Sequence, residues 1–355
     1  MKNQATFILL FFTQILFSQS DNYTDASFKF FDFQPPKTQT EWLKRQKDIR
    51  KTAWKLFGKL PAIPEKLSVE TVSKEQKTGY TLEKFRFFNG VDNVITGYLM
   101  VPDGATKNMP AVLYHHYHGG DYKQGKEELF KKNYVNETGP GEGLIKEGYI
   151  VMAIDAYGFG ERQGKGPNGE KETGKDEELT WQKNNLWKGR CLFGMMVRDD
   201  KMALNYLLSR PEVDKKRIAT MGLSLGCLRS FWLAALDERI KVTIAVSCLV
   251  RNQELFKNKR LNGHGIYYYI PDLLNHFDNE SIMACIAPRP LLTLSGAKDG
   301  ISPLAGIEYI NEALDKVYKV MGSSEKLKTI VYPDFGHEFN PTMWSEALGY
   351  LRKWL

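Results

Sequence analysis

Cysteine is scarce, with four residues in 355: Cys191, Cys227, Cys248 and Cys285. They stand 36, 21 and 37 positions apart, without the close pairs that a structural zinc site uses. This excludes a disulfide-stapled miniprotein, and the apolar neighbours of each cysteine make buried free thiols the expectation. An excess of one charge is also lacking. The 49 Lys and Arg residues are nearly matched by 42 Asp and Glu, for a net charge of +7. No basic stripe carries interleaved aromatics, so nucleic acid is not an expected partner. No internal repeat or low-complexity tract is present. The longest apolar run, within residues 5–17, is roughly 13 residues, short of the ~20 that a spanning helix needs.

What is present is ample material for a core. The 20 Phe, 17 Tyr and 7 Trp residues exclude a disordered chain. The start of the chain has its own pattern: Lys2, an apolar run broken only by Thr6, Thr13 and Gln14, then Ser18-Gln19-Ser20 with small residues flanking a cut. This reads as a secretory signal peptide over residues 1–20, predicting export to periplasm or medium and no membrane span after cleavage. No cysteine adjoins the cut, which argues against a lipoprotein.

Residues 21–79 read as a helical approach segment. Its amphipathic helix, over 41–57, carries Trp42, Ile49, Trp54 and Leu56, and Pro61 and Pro64 end it. From residue 80 the pattern changes to strands, expected at 80–88, 94–101 and 110–115. The last is a near-continuous apolar run suited to burial on both faces. A strand–helix rhythm follows, with strands at 149–154, 217–221, 242–246, 291–294 and 329–332. Helices alternate with them at 143–147, 199–209, 225–235 and 344–354. The rhythm predicts an α/β fold over 80–355, a mostly parallel twisted sheet with helices on both faces. Residues 160–176 and 251–281 interrupt it and are expected as surface loop and binding-site wall.

Gly222-Leu-Ser224-Leu-Gly226 lies between a strand and an apolar helix. In that setting G-x-S-x-G forms a nucleophile elbow, a sharp turn that exposes the serine hydroxyl above the sheet. Ser224 is the candidate nucleophile, and the amide of Leu225, at the helix start, is a candidate oxyanion donor. A serine needs a base. His337, after the last strand, is placed to supply it. Asp299, after the strand at 291–294, falls between serine and histidine in chain order and can fix the imidazole tautomer. Asp334 is its rival, more suited to shaping the turn; Asp272 and Asp278 are weaker. The second oxyanion donor is expected from the loop after strand 110–115, from the amide of Tyr117, with that of His118 as the close alternative. His115, His116 and His118 sit together, but neighbours on a strand point to opposite sides and no carboxylate completes a ligand set. Neither metal nor cofactor is expected.

These pieces resemble the α/β-hydrolase superfamily, and within it the dienelactone-hydrolase-like and acetylxylan-esterase-like branch. The likeness rests on the segments 110–120, 153–160, 217–226 and 286–292, with Asp299 and His337, and covers roughly residues 80 to 355. Two positions depart from the pattern. Tyr117 stands where Gly is usual, and Ser224 stands where true dienelactone hydrolases carry Cys. The resemblance implies carboxylic ester hydrolysis through an acyl-enzyme, without metal or organic cofactor.

Tyr157, Phe159, Trp187 and His264 are candidates for contact with a small-molecule or oligosaccharide ester, since aromatic faces suit sugar rings. Packing in the core is the competing account of Tyr157, Phe159 and Trp187. Three functions follow: a secreted serine esterase deacylating carbohydrate esters, a prolyl-oligopeptidase-type peptidase or amide hydrolase, and a non-catalytic carbohydrate-binding protein on the same fold. The oligomeric state is left open.

Overall fold

The computed structural model describes residues 30–355. The expected signal peptide lies outside them. Among the described residues nine strands form one sheet: β1 (Glu70–Lys77), β2 (Tyr80–Phe88), β3 (Val94–Pro102), β4 (Met109–His115), β5 (Ile150–Ile154), β6 (Val213–Leu223), β7 (Val242–Val246), β8 (Leu291–Gly296) and β9 (Leu327–Tyr332). Their order is β1-β2-β3-β5-β4-β6-β7-β8-β9. The pairings β1/β2, β2/β3 and β3/β5 are antiparallel, and the rest are parallel. This is the α/β-hydrolase architecture.

The helices are α1 (Gln39–Leu56), α2 (Pro140–Lys146), α3 (Gly174–Trp187), α4 (Leu192–Ser209), α5 (Leu225–Leu236), α6 (Asn252–Lys257), α7 (Asn279–Ala284), α8 (Leu304–Val320) and α9 (Pro341–Trp354). The two-residue period of the strands sorts their side chains between two cores. From β4, Ala111 and Leu113 join α1, α4, α5, α7 and α8 on one face. Val112 and Tyr114 join α2 and α9 on the other. Burial on both sides is why β4 reads as an unbroken apolar run.

One expectation is corrected. The sheet begins at Glu70, not residue 80, so the approach segment is shorter than 21–79. β1 is an edge strand, and seven of its eight residues are exposed. Glu and Lys along an unpaired edge discourage strand addition and also erase the apolar alternation that marks a strand. The α1 helix, expected over 41–57, packs into the sheet's core. Thr38 caps it by accepting the Glu41 amide, and Trp42, Ile49 and Ala53 are buried in the same core as the sheet. Helix α8 went unpredicted although Ile307, Ile310, Leu314 and Val317 mark its buried stripe at helical spacing.

All four cysteines are free and buried. Burial pushes the Cys191 thiol up to about 11 and that of Cys285 up to about 12. Among the described residues no helix is long and apolar enough to cross a membrane.

Candidate active site

In a parallel sheet the loops that leave the carboxyl ends of the strands gather at one edge. Ser224 follows β6, the 116–120 loop follows β4, Asp299 follows β8 and His337 follows β9. The topology therefore brings four separated segments to one rim.

Ser224 has φ 59° and ψ −117°, a strained conformation for a residue with a side chain. Its amide donates to the Val246 carbonyl at 3.1 Å, and its side chain does not cap α5. The flanking glycines are required by close approach. A Cβ on Gly222 would stand 2.3 Å from the His115 carbonyl oxygen, and one on Gly226 only 2.0 Å from it. The elbow is thus pressed against the end of β4, and both neighbours must lack a side chain. Leu225 opens α5, so its amide belongs to the first turn, whose N–H groups lack intrahelical acceptors.

His337 Nδ1 lies 2.8 Å from Asp299 Oδ2. The other oxygen of Asp299 accepts the amides of Ile301 at 2.9 Å and Ser302 at 3.1 Å, which fixes the carboxylate plane. The strand extensions bring the pair together: the Lys298 amide donates to Phe335 O at 2.9 Å. The rival carboxylates are engaged elsewhere. Asp334 is exposed and pairs with Lys298 at 3.0 Å, Asp272 pairs with His276 at 3.0 Å, and Asp278 accepts amides of α6 and α7.

Ser224 and His337 open onto one cavity of about 450 Å³, also lined by His118, Glu178, His264 and Ile301. His264 lines it too; its Nε2 is 2.8 Å from Ile301 O, and its ring lies 4.1 Å from that of Tyr268. Burial pushes its pKa down to about 4, so its imidazole is neutral at pH 7.

The expected role of the Tyr117 amide is corrected. That N–H donates to the buried carboxylate of Glu128 at 2.6 Å and is committed there. The phenol oxygen accepts from Lys131 at 2.7 Å. His118, the alternative, lines the cavity together with Gly119 and Gly120.

Three aromatic expectations are corrected as well. Tyr157 is fully buried beneath the Arg162 guanidinium, which lies 4.0 Å from its ring centre, and its hydroxyl bonds Asn89 at 2.8 Å and Asp92 at 2.9 Å. It is a core residue held by polar partners. Phe159 is also buried, against the rings of His116, His118 and Tyr122, so it supports the wall without forming it. Trp187 ends α3 and is 93% exposed, outside the cavity lining.

The clustered histidines diverge. His115 bonds Ser230 at 2.9 Å and lies 3.6 Å from Asp200. His116 Nδ1 lies 2.8 Å from Tyr117 O, and its Nε2 accepts the Ala156 amide at 3.0 Å. Burial pushes both down to about 3, so both stay neutral. Among the described residues no three His, Cys, Asp or Glu side chains are grouped to hold a metal ion.

Sequence reasoning missed Glu178 and Tyr122. Glu178 is 2% exposed on α3, yet it sits in a charged stretch that reads as solvated. Its helical spacing to Trp181 was the available signal.

The Abhydrolase family model matches residues 24–344. A Bacillus subtilis (strain 168) protein, YtaP, provisionally named a hydrolase, is 37% identical over 308 residues, 86% of this chain and 98% of its own length. Among solved structures, a provisionally named acetyl xylan esterase of Bacteroides fragilis NCTC 9343 aligns with TM-score 0.68 and 24% identity, over 85% of this chain and 78% of its own. A glucuronoyl esterase from Solibacter usitatus aligns with TM-score 0.64 and 16% identity, over 91% of this chain and 98% of its own.

Proposed function

The chain belongs to the abhydrolase family, and from that premise we propose that it is an exported serine esterase acting through Ser224, His337 and Asp299 on acylated carbohydrate. The observation that carries this is the Asp299-bound imidazole of His337 opening onto the same cavity as Ser224, which stands on a strained strand–helix turn.

Chemistry follows from the protons. The Asp299 carboxylate accepts Nδ1–H and leaves Nε2 of His337 as the base. As Ser224 Oγ bonds the ester carbonyl carbon, Nε2 takes its proton and the carbonyl π pair moves onto oxygen. The amides of Leu225 and His118 receive that oxyanion. Collapse breaks the bond to the alcohol, which leaves with the proton from Nε2. Water then attacks the acyl-enzyme by the same route, with His337 again the base, and returns the acid and free Ser224.

The substrate class rests on the lining of the cavity that Ser224 enters. Asn262, His264 and Lys175 give it polar groups suited to a hydroxyl-rich alcohol. The esterase names of the two solved structures fit this assignment. A peptidase would use a carboxylate pair to hold a peptide ammonium, and Glu177-Glu178 is such a pair in sequence. Both are already occupied: Glu177 accepts the amides of Gly164 and Lys165, and Glu178 accepts from His118, Tyr122 and Ile266. Export rests on the pattern of residues 1–20.

The test is hydrolysis of p-nitrophenyl acetate and butyrate by the wild type beside Ser224→Ala. Acetate-preferring activity lost in the variant is expected. Equal activity in both would overturn the assignment of the nucleophile.

A further inference from the structure

One buried carboxylate ties together three walls of the cavity. Glu178, on α3, presents Oε2 to His118 Nε2 at 2.8 Å and to the Tyr122 hydroxyl at 3.2 Å. Its Oε1 accepts the Ile266 amide at 3.0 Å. These donors come from the loop after β4, from the segment that follows it, and from the 251–281 insertion. The carboxylate is 2% exposed, and each donor reaches it from a different part of the chain.

The tautomer of His118 is set by its other nitrogen. Nδ1 accepts the Gly120 amide at 3.0 Å, so the ring proton sits on Nε2 and is donated to Glu178. Both nitrogens are thereby used, and the imidazole is not a free acid or base. It acts as a rigid link from Glu178 to the backbone of residues 118–120. That backbone is where the second oxyanion amide lies once Tyr117 N–H is held by Glu128. The Phe159 ring supports the link from behind, 5.1 Å from that of His118.

We infer that Glu178 is a positioning residue for ester hydrolysis: through the His118 ring it holds the 118–120 backbone, and with it the oxyanion-binding amide, against the Ser224 cavity. The inference rests on the serine-esterase mechanism above. Oxyanion donors act by being fixed before charge develops, so a loosened loop weakens the transition state more than the bound ester. Glu178 itself makes no contact with reacting atoms.

Glu178→Gln tests this with little change in volume. An amide has one acceptor and one donor end, so in either orientation it sets a donor against His118 Nε2–H or against Ile266 N–H. On p-nitrophenyl acetate, kcat is expected to fall about 10- to 100-fold, with KM within about threefold, since the lost interaction belongs to the transition state. His118→Phe, which fills the same wall without a link, is expected to show the same split. In the double variant the losses should not add, because both act through one contact. Far-UV circular dichroism checks the fold of each; if Glu178→Gln does not fold, His118→Phe carries the test alone.

Wild-type kcat in either folded variant overturns the inference. So does a rise in KM at unchanged kcat, which would make Glu178 a substrate contact, and so do additive losses, which would remove the route through His118. Ser224→Ala separates this from the mechanism beneath it. An inactive Ser224→Ala beside a fully active Glu178→Gln rejects only the positioning role. An active Ser224→Ala rejects the serine-esterase mechanism and the positioning role with it.

Discussion

Glu128 holds the Tyr117 amide and the Tyr114 hydroxyl on its two carboxylate oxygens, each at 2.6 Å, with no exposure to solvent. The carboxylate thus pins the first peptide of the loop after β4 to the end of the strand. Burial pushes its pKa up to about 8, against the two hydrogen bonds and Lys131, which act to lower it.

A pH dependence of stability follows. A carboxyl whose folded pKa lies above its unfolded value binds more protons folded than unfolded across the interval. Stability therefore falls as pH rises, from the ordinary value of 4.5 until about 8. Glu280, pushed to about 8 by burial beside Asp278, adds a term of the same sign. The buried histidines His115, His116 and His264, pushed down from 6.5, act with the opposite sign below about 6.5. The carboxyl effect is therefore read above that range: urea unfolding of the wild type is expected to show less stability at pH 8 than at pH 7, by about 1–2 kcal/mol. Glu128→Gln keeps an acceptor for Tyr117 and a donor for Tyr114 but cannot titrate. A shallower slope in that variant is the expected result; an unchanged slope would remove Glu128 as a source.

The elbow glycines give a second prediction. A Cβ at position 226 meets the His115 carbonyl at 2.0 Å, and at position 222 it meets the same oxygen at 2.3 Å. Backbone atoms on both sides leave no flexible end to yield. Gly226→Ala should destabilise by about 1–3 kcal/mol or more through overpacking, and should lower kcat with it, because relief requires β4 and the Ser224 turn to separate. Thermal melting together with steady-state kinetics reads both effects.

The aromatic residues give a third. Trp187 is 93% exposed at the end of α3, so Trp187→Ala should leave kcat and KM on p-nitrophenyl acetate within about twofold, as surface changes usually do. Tyr157→Phe removes the hydroxyl that joins Asn89 and Asp92, and the cost should appear as about 1 kcal/mol or more of stability with KM unaltered. A KM change in either variant would return that residue to the binding site.

These residues also mark what was legible in the chain. The Ser224 turn could be read because G-x-S-x-G between a strand and a helix is a local pattern with a local cause. The meeting of Asp299 and His337 could be read because each follows a strand of the parallel sheet, and such strand ends share one edge. The orientation of the Tyr117 amide could not be read. It depends on Glu128, whose charged neighbours suggest a solvated turn, and periodicity carries no information about where a peptide N–H points. Glu178 was hidden for the same reason, since its three donors come from distant segments. β1 was missed because an exposed edge strand carries the charges of a loop. Tyr157 misled because a buried phenol with polar partners and a pocket phenol have the same sequence neighbourhood.

The choice between two aspartates gives the sharpest remaining test of the triad. Asp299 and Asp334 both follow sheet strands near His337, and both could be drawn as the orienting acid. Their surroundings differ. Asp299 is 6% exposed, bonds His337 Nδ1 at 2.8 Å and is itself fixed by two amides. Asp334 is solvent-exposed on a pair with Lys298. Asp299→Asn can donate to Nδ1, which favours the tautomer with its proton on Nε2 and leaves no base toward Ser224. A kcat loss of about 10³- to 10⁴-fold is expected, as for the corresponding change in a serine-protease triad. Asp334→Asn breaks only an exposed ion pair, worth about 0–1 kcal/mol, and should leave kcat within about twofold. Kinetics of the two variants on one ester settle the assignment: equal, small effects would mean that neither aspartate orients the imidazole, and a larger loss at Asp334 would exchange their roles.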